Sequence, residues 1–480
     1  MKILFCAING ANPPHFEHLL DMLLLHRERG DEAYIVQCRG HLKTCYANRY
    51  SKPSKCRYCV DRFDYGMQLI NMPQDHILTL PQKEVPAEVY ERSFADINEL
   101  KNYSYGDFKE LGSCVASMIV DITNDHKPDV AKAAPRIRDY LRSTYAAFLG
   151  MQEIVEQVKP DYAIVFNGRS LDCRANLQVM RNNHIPFDTF ERGGYHDRYT
   201  LFHNVMCQDL AMIRSFVENL VKTATEEDWA KAKRFFELRR AKKHSNWKSF
   251  TKSQKKGSLP EGFDKNKKNI TIFNTSISEY VCVPNIDIGI FPEHIIAIRE
   301  IALYFKDKPD YHVYLRVHPH LKDKLNNTQM QEIIALKKEN IPNFTVIMPQ
   351  ETIDTYEVLD HSDKVVTFGS TMGVESTYWG NPSILIGDAY WKGLEVAYEP
   401  KTPQELFDLL TTDKLQPKPS ENALRCGLLS MASGIKTTHY VWETPWTGKF
   451  MGQYLIPPKK YFFRRMGYFL RKWKYKLTGW

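Results

Sequence analysis

Residues 365–387 read VVTFGSTMGVESTYWGNPSILIG. The run VVTF is too short for a helix and rich in β-branched residues, so it predicts a buried strand. Thr371 to Trp379 then predicts a helix, closed by Gly380, Asn381 and Pro382, and SILIG supplies a second strand. Strand, helix and apolar strand in succession form the repeating unit of a parallel sheet. In such a unit the turn at the strand's carboxyl end presents main-chain N–H groups and small hydroxyls to a ligand. Gly369, Ser370 and Thr371 occupy that turn, and a phosphate fits there.

The alternation extends outward in both directions. Upstream lie the strand NITIFNT, a helix over about 292–306, the strand HVYLRVH, a helix over about 328–340, the strand FTVIM and a short helix over about 353–360. At the amino terminus KILFCAI predicts a strand, and His15 to Arg29 a helix with Leu19, Leu20, Leu23 and Leu24 at helical spacing. EAYIVQC is the next strand. A helical tract over about 89–158 leads to the strand DYAIVF, a helix at 170–183 and a strand near Phe187. These regions predict an α/β protein of two Rossmann-like domains facing a cleft. The expected spans are 1–221, with a Cys-rich insertion at 38–59, and 269–455. A charged helix and linker at 222–268 joins them, and a basic amphipathic tail occupies 456–480.

A length of 480 residues exceeds a single core and fits two domains. The net charge of +8 and 43% hydrophobic residues describe a globular, mildly basic chain. That balance carries no expectation of nucleic acid as a partner. MKILFCAINGANPP offers six apolar residues before Asn9, too few for a signal-peptide core. No stretch reaches the roughly 18 apolar residues of a spanning helix. A cytoplasmic protein with mostly reduced cysteines is expected.

YLRVHPH places Arg316 and His318 on one face of a strand, and Pro319 ends the ladder where ligands gather. Arg offers a planar fork to phosphate, and His bonds a phosphate oxygen or a ribose hydroxyl. The alternative is an Arg316 paired with a carboxylate and a satisfied buried His318. Glu375, one turn after Thr371, reaches the same pocket and suits a ribose diol, or else serves as a buried cap or a partner of Arg316. NITIFNTSISEY sets Asn274, Thr275, Ser276 and Ser278 at another carboxyl end, for a phosphate or sugar contact or an ordinary turn. In the first domain Asn167 and Arg169 follow one strand, and Glu191 and Arg192 the next. Glu191 is a candidate general base, and Asn9, Asn12 and His15 in the first loop are further cleft candidates.

Cys38, Cys45, Cys56 and Cys59 include one pair at the two-residue spacing that wraps a tetrahedral metal. They read either as a structural zinc site or as buried reduced thiols. The tail KKYFFRRMGYFLRKWKYKLTGW carries eight Lys or Arg and no acidic residue. Phe462, Met466, Phe469, Leu470, Trp473 and Leu477 fall on one helical face. Such a helix suits an anionic bilayer surface, and the alternative is a helix packed on its own protein.

Together NGR at 167–169, ERGG at 191–194, FNTSISEY, RVHPH and VTFGSTMGVESTYWGNPSILIG resemble the bacterial capsule and surface polysaccharide biosynthesis transferases, the group related to the capsular Kdo transferases. The resemblance spans residues 1 to about 410 and lies in the order of short motifs. It implies a GT-B-like glycosyltransferase that requires no catalytic metal and holds its nucleotide in the second domain. The His-Pro and Ser/Thr pairs that contact CMP in related enzymes fall on His318, Pro319, Ser370 and Thr371 here. The region is also similar to the teichoic-acid polyol-phosphate transferases, which use CDP-linked donors.

The resulting expectation is transfer of a sugar from a nucleotide-sugar donor, CMP-linked by the resemblance, to a capsule, O-antigen or other surface polysaccharide acceptor that is lipid-linked or polymeric. The donor set is Arg316, His318, Pro319, Gly369, Ser370, Thr371, Glu375, Thr275 and Ser276. Glu191 and His15 are the catalytic candidates, and Asn9, Asn167, Arg169 and Arg192 line the acceptor side. The tail would hold the enzyme at the inner face of the cytoplasmic membrane. A CDP-polyol phosphotransferase, a sugar-nucleotide epimerase and a non-catalytic assembly scaffold are the competing readings.

Overall fold

Most of the apolar runs fold into parallel strands that alternate with helices along the chain. The structure is a computed structural model. It describes all residues except 8–9, 244–250, 280, 284–285, 288, 325, 445–446, 459 and 479–480. The chain divides into two compact units. Unit 1 comprises Met1–Thr123, Lys127–Asp209 and Ser433–Trp480, and unit 2 comprises Asn124–His126 and Leu210–Ala432.

Unit 1 begins with β1 (Lys2–Cys6), α1 (His15–Glu28), β2 (Glu32–Gln37), α2 (Pro53–Leu69) and β3 (Ile77–Thr79). The short α3 (Ala87–Tyr90) and α4 (Ile97–Lys101) precede α5 (Leu111–Thr123) and the long α6 (Val130–Val158). Then come β4 (Tyr162–Phe166), α7 (Leu171–Asn182), β5 (Phe187–Arg192) and β6 (Arg198–His203). Strands β3, β2, β1, β4 and β5 lie side by side in that order and are parallel. β6 adds antiparallel to β5. Order reverses between β1 and β4, which is where such sheets open a crevice at their carboxyl ends. Ile3, Phe5, Ile35 and Ile164 from the sheet pack with Leu20 and Leu23 of α1 in one apolar core.

Unit 2 opens with α8 (Leu210–Thr223) and α9 (Glu226–Arg240). Strands and helices then alternate: β7 (Lys268–Phe273), α10 (His294–Phe305), β8 (Tyr311–Arg316), α11 (Thr328–Lys338), β9 (Phe344–Ile347), α12 (Thr355–Asp360), β10 (Lys364–Thr367), α13 (Met372–Trp379) and β11 (Ser383–Leu385). Helices α14 (Pro403–Thr411) and α15 (Ser420–Met431) complete it. The sheet order β9-β8-β7-β10-β11 is parallel throughout and repeats the unit 1 pattern, with its switch point between β7 and β10. The expected α/β class and the two Rossmann-like regions are therefore present.

The unit boundaries differ from the expected spans. The charged stretch after residue 222 opens with the expected helix, but this helix is not a solvated surface element, because α9 buries Ala232, Phe235 and Phe236, the two aromatics in the unit 2 core. Phe236 stacks on Tyr378 of α13 at 4.0 Å. The segment from Ser433 returns to unit 1: β12 (Ile435–Lys436) pairs antiparallel with β6, and the hairpin β13 (Tyr440–Thr444) and β14 (Thr447–Phe450) packs Tyr440 and Phe450 into the unit 1 core.

The tail forms α16 (Phe462–Thr478). Tyr461, just before it, donates to Asp61 at 2.6 Å, Lys472 pairs with Glu443, and Tyr468 meets Tyr454 edge-on. These contacts turn the opposite face outward, and Phe462, Phe463, Phe469 and Trp473 are each more than 60% exposed. The side chain of Leu477, expected on the same face, lies outside the described residues. No described helix is long and apolar enough to cross a membrane.

Candidate functional site

Three carboxyl-end turns of the unit 2 sheet converge at its switch point. Asn274 follows β7, His318 and Pro319 follow β8, and Ser370 and Thr371 follow β10. They line an open cleft of about 610 Å³, counted with its open solvent space. Tyr356, Phe273 and Met372 give it an apolar wall, while Arg239 and Lys243 add positive charge.

The β10 turn is held by close backbone approach. Gly369 has φ +131°, and a Cβ there would sit 2.5 Å from the Asp388 carbonyl oxygen, so only glycine fits. Ser370 Oγ accepts the Met372 N–H at 3.3 Å. Thr371 Oγ1 donates to Glu375 at 3.3 Å and accepts from Arg239 at 3.2 Å. The Thr371 hydroxyl expected to hold phosphate is therefore engaged inside the protein.

Glu375 takes a different place from the expected ribose contact. It is fully buried, and its carboxylate is shared by Arg239 at 2.9 Å, the Tyr356 hydroxyl and Thr371. Its ion pair is with Arg239 and not with Arg316. The pair supports the cleft by holding Arg239, a residue of α9 that the sequence reading did not single out. Burial pulls the Arg239 pKa down, Glu375 and Tyr356 together more than offset it, and the net shift is upward, so the guanidinium stays charged.

Arg316 is 2% exposed. Its guanidinium donates to the Met348 carbonyl at 2.8 Å and, at 3.4 Å, to the Glu351 carbonyl and Thr355 Oγ1. It forms no ion pair with a carboxylate among the described residues. Burial lowers its pKa to about 10, with Glu351 and Asp354 opposing, so it remains a cation at neutral pH. Its hydrogen-bond acceptors are all neutral, and the nearby Glu351 and Asp354 charges only partly offset the cost of burying the cation, which favours an anion in the cleft.

Asn274 completes this wall. Its Oδ1 accepts the His318 main-chain N–H at 2.7 Å, while its Nδ2 is buried with no partner among the described residues. His318 Nδ1 accepts the His320 N–H at 3.2 Å, which leaves the proton of a neutral ring on Nε2. Thr275 and Ser276, in contrast, are buried away from the cleft lining. The Thr275 carbonyl accepts from Gln329, and Ser276 Oγ meets Ser278 and Lys324.

In unit 1 the turns after β1 and β4 and the end of β5 gather a second constellation. His15 Nδ1 lies 3.5 Å from Glu191 Oε1. Asn167 Nδ2 donates to Glu191 Oε2 at 2.6 Å, and the Arg192 N–H donates to Oε1 at 3.0 Å. The His15 ring rests on Phe166, 4.6 Å between centroids. Desolvation lowers the His15 pKa, Glu191 opposes this and Arg192 reinforces it. The imidazole is thus neutral at pH 7 and competent as a base. Arg169 is not part of this group, because its Nε donates to Ser117 at 2.8 Å. Asn9 lies outside the described residues. Asp172, which the sequence reading missed, lines a small cavity with His15. Burial raises its pKa to about 6.

The four cysteines of the insertion are held by amide donors. Cys45 Sγ accepts the Asn48 N–H at 3.3 Å, Cys56 Sγ accepts Asn48 Nδ2 at 3.1 Å, and Cys59 Sγ accepts the Gly10 N–H at 3.2 Å. Burial raises the Cys38 thiol to about 12 and raises Cys59 as well. The described residues contain no group of three or more His, Cys, Asp or Glu placed to hold a metal. Cys56 and Cys59 are residues of α2.

No family model and no curated protein matches the chain. Among solved structures it is similar to Thermosulfurimonas dismutans KpsC as β-Kdo 2,4 transferase, at 16% identity and TM-score 0.36 over 56% of this chain and 79% of that one. It is also similar to the same organism's KpsC as β-Kdo 2,7 transferase, at 12% identity and TM-score 0.34 over 58% and 80%. A UDP-GlcNAc 2-epimerase from Neisseria meningitidis bound to UDP-GlcNAc aligns at 13% identity and TM-score 0.28 over 89% and 98%. The capsular Kdo transferases that the motifs resemble are thus represented among the similar structures.

Proposed function

We propose that the chain is a glycosyltransferase that holds a nucleotide-sugar donor in the unit 2 cleft and passes the sugar to a hydroxyl of a surface polysaccharide acceptor. The observation that carries this reading is the buried Arg316 cation, which has no carboxylate partner among the described residues, beside the buried Asn274 Nδ2 donor. Both await an anionic, hydrogen-bond-accepting guest, and a nucleotide phosphate supplies both properties. As the glycosyl bond breaks, negative charge grows on that phosphate, and fixed donors then act where charge develops. Arg316 contributes through its field, Asn274 and His318 through N–H donors, and the start of α13 through its dipole.

Within unit 1 the candidate base is His15. Neutral His15, oriented beside Glu191, takes the proton of the acceptor hydroxyl, and Asn167 fixes the carboxylate that stabilises the imidazolium formed. By the motif resemblance the donor is CMP-linked and the acceptor belongs to a capsule or O-antigen. The outward apolar face of α16, flanked by Arg464, Arg471 and Lys474, supports a peripheral place at an anionic membrane, beside a lipid-linked acceptor.

A thermal-shift panel of CMP, CDP, UDP, GDP and ADP tests the donor assignment. At a hundred times its Kd a bound nucleotide adds about 2.7 kcal/mol of stability. One nucleotide is expected to raise the melting temperature of the wild type and, at the same concentration, to stabilise Asn274→Ala only about half as much, about 1.4 kcal/mol. Stabilisation by none of them would defeat the proposal. Conversion of the matching nucleotide sugar to an isomer without acceptor would replace it with an epimerase.

A further inference from the structure

Away from both constellations, unit 1 carries a second groove of about 660 Å³. Its walls come from the loop after β2, with His41 and Lys43, from the loop after β3, with Pro81, Lys83 and Val85, and from α6, with Arg142. The loops follow the carboxyl ends of β2 and β3, on the same edge of the sheet as the turn that holds His15. Two strand spacings, about 10 Å, separate β3 from β1.

The groove is built by close packing. A Cβ on Gly150 of α6 would lie 2.9 Å from the Pro81 carbonyl oxygen and 3.0 Å from Leu80 Cδ1, so glycine lets the β3 loop settle against the helix. The polar groups then divide by role. Lys43 is paired with Asp139 at 2.8 Å, and Lys83 with Glu153. Arg142 lies over the Tyr90 ring at 5.4 Å and has no carboxylate partner among the described residues. His41 Nδ1 is 3.0 Å from the Leu80 carbonyl. A carbonyl only accepts, so Nδ1 carries the proton and Nε2 of the neutral ring is an acceptor.

A guest must therefore offer a carboxylate-like anion to the planar Arg142 fork, a hydroxyl donor to His41 and an apolar C–H face to Pro81 and Val85. Phosphate alone has the first property and neutral sugars have the last two. We propose that this groove binds an acidic sugar chain, an oligosaccharide bearing carboxylates. The binding claim stands by itself. Its role as an extension of the acceptor site rests on the transferase reading.

Isothermal titration of the full chain with tetragalacturonate tests the proposal, with maltotetraose and inorganic phosphate as comparisons. Tetragalacturonate is expected to bind, and maltotetraose at least tenfold more weakly. Arg142→Gln should weaken tetragalacturonate at least tenfold with an unchanged melting temperature, because the side chain is exposed. His41→Phe should weaken it and His41→Gln, which keeps an acceptor, should retain it. Asn274→Ala in the other unit should leave it unaltered. Absence of binding, equal affinity for maltotetraose, or indifference to both Arg142→Gln and His41→Phe would overturn the proposal. Displacement by equimolar phosphate would also overturn it, in favour of a plain phosphate site. A nucleotide thermal shift on the same preparation reports the donor cleft separately, so failure of one assignment is not failure of the other.

Discussion

Arg239 and Glu375 form an ion pair at 2.9 Å in which the carboxylate is fully buried and the guanidinium about one quarter exposed. Removing one partner of such a pair leaves the other uncompensated, which costs more than the pair contributed. Glu375→Gln is expected to destabilise unit 2 by about 3 kcal/mol, at the lower end of the range for buried pairs because Arg239 keeps some water. Urea unfolding measures it, and a change below about 1 kcal/mol would contradict the role given to the pair.

Asn274 separates two functions that substitutions resolve. Asn274→Ala loses the acceptor for the His318 N–H, at about 1 kcal/mol of stability. It also loses the donor facing the cleft, and nucleotide affinity should fall about tenfold, equivalent to 1.4 kcal/mol. Asn274→Asp keeps the acceptor and sets a second anion beside Arg316. It should leave stability near or above wild type while nucleotide affinity falls further than in Asn274→Ala, as read by titration calorimetry.

Acid should weaken unit 1 through its buried histidines. Burial lowers the pKa of His18 and of His196 to about 3, against about 6.5 in an unfolded chain. Between those values the unfolded state binds more protons, so stability is complete above about pH 6.5 and declines as pH falls towards 3. His18→Phe should flatten that decline in urea midpoints taken across the range. In the transferase reading the acid limb of kcat/KM belongs to His15 and lies below pH 6.5. Glu191 raises the His15 pKa, so Glu191→Gln should move the limb to lower pH as well as slow the reaction.

The outward face of α16 predicts vesicle binding without loss of fold. Phe469→Glu and Trp473→Glu replace side chains that are each 63% exposed, so melting temperatures should change by less than about 2 °C, the shift expected of surface substitutions. Co-flotation with vesicles rich in anionic lipid should drop for both variants and fall with added salt for the wild type. Equal flotation of wild type and variants would show that the helix does not face lipid.

The strand and helix alternation was legible because each period lies within a few residues of sequence. VVTF, SILIG and NITIF read as buried strands and are β10, β11 and β7. The cleft turns were legible for the same reason, since carboxyl ends of parallel strands collect ligands wherever the sheet order reverses. Long-range pairing was not legible. Nothing local to Glu375 or Arg239 reveals that they meet across more than a hundred residues, and the charges around Phe235 and Phe236 mask the two aromatic residues that make α9 part of a core. Arg316 read as a phosphate fork because its donors' use by the Met348 and Glu351 carbonyls depends on where the β9 loop returns.

The return of the chain to unit 1 sets an order of assembly during synthesis. Arg198 donates to the Gly434 carbonyl across 236 residues, and β12 covers the β6 edge only when that segment has emerged. At about 5–20 residues per second, roughly ten to fifty seconds pass between the two. Residues 210–432 of unit 2 emerge during that interval, while β6 presents unpaired N–H and C=O groups to other nascent chains. The domain begun first is finished last, and translation speed across residues 210–432 governs how long its open edge is exposed.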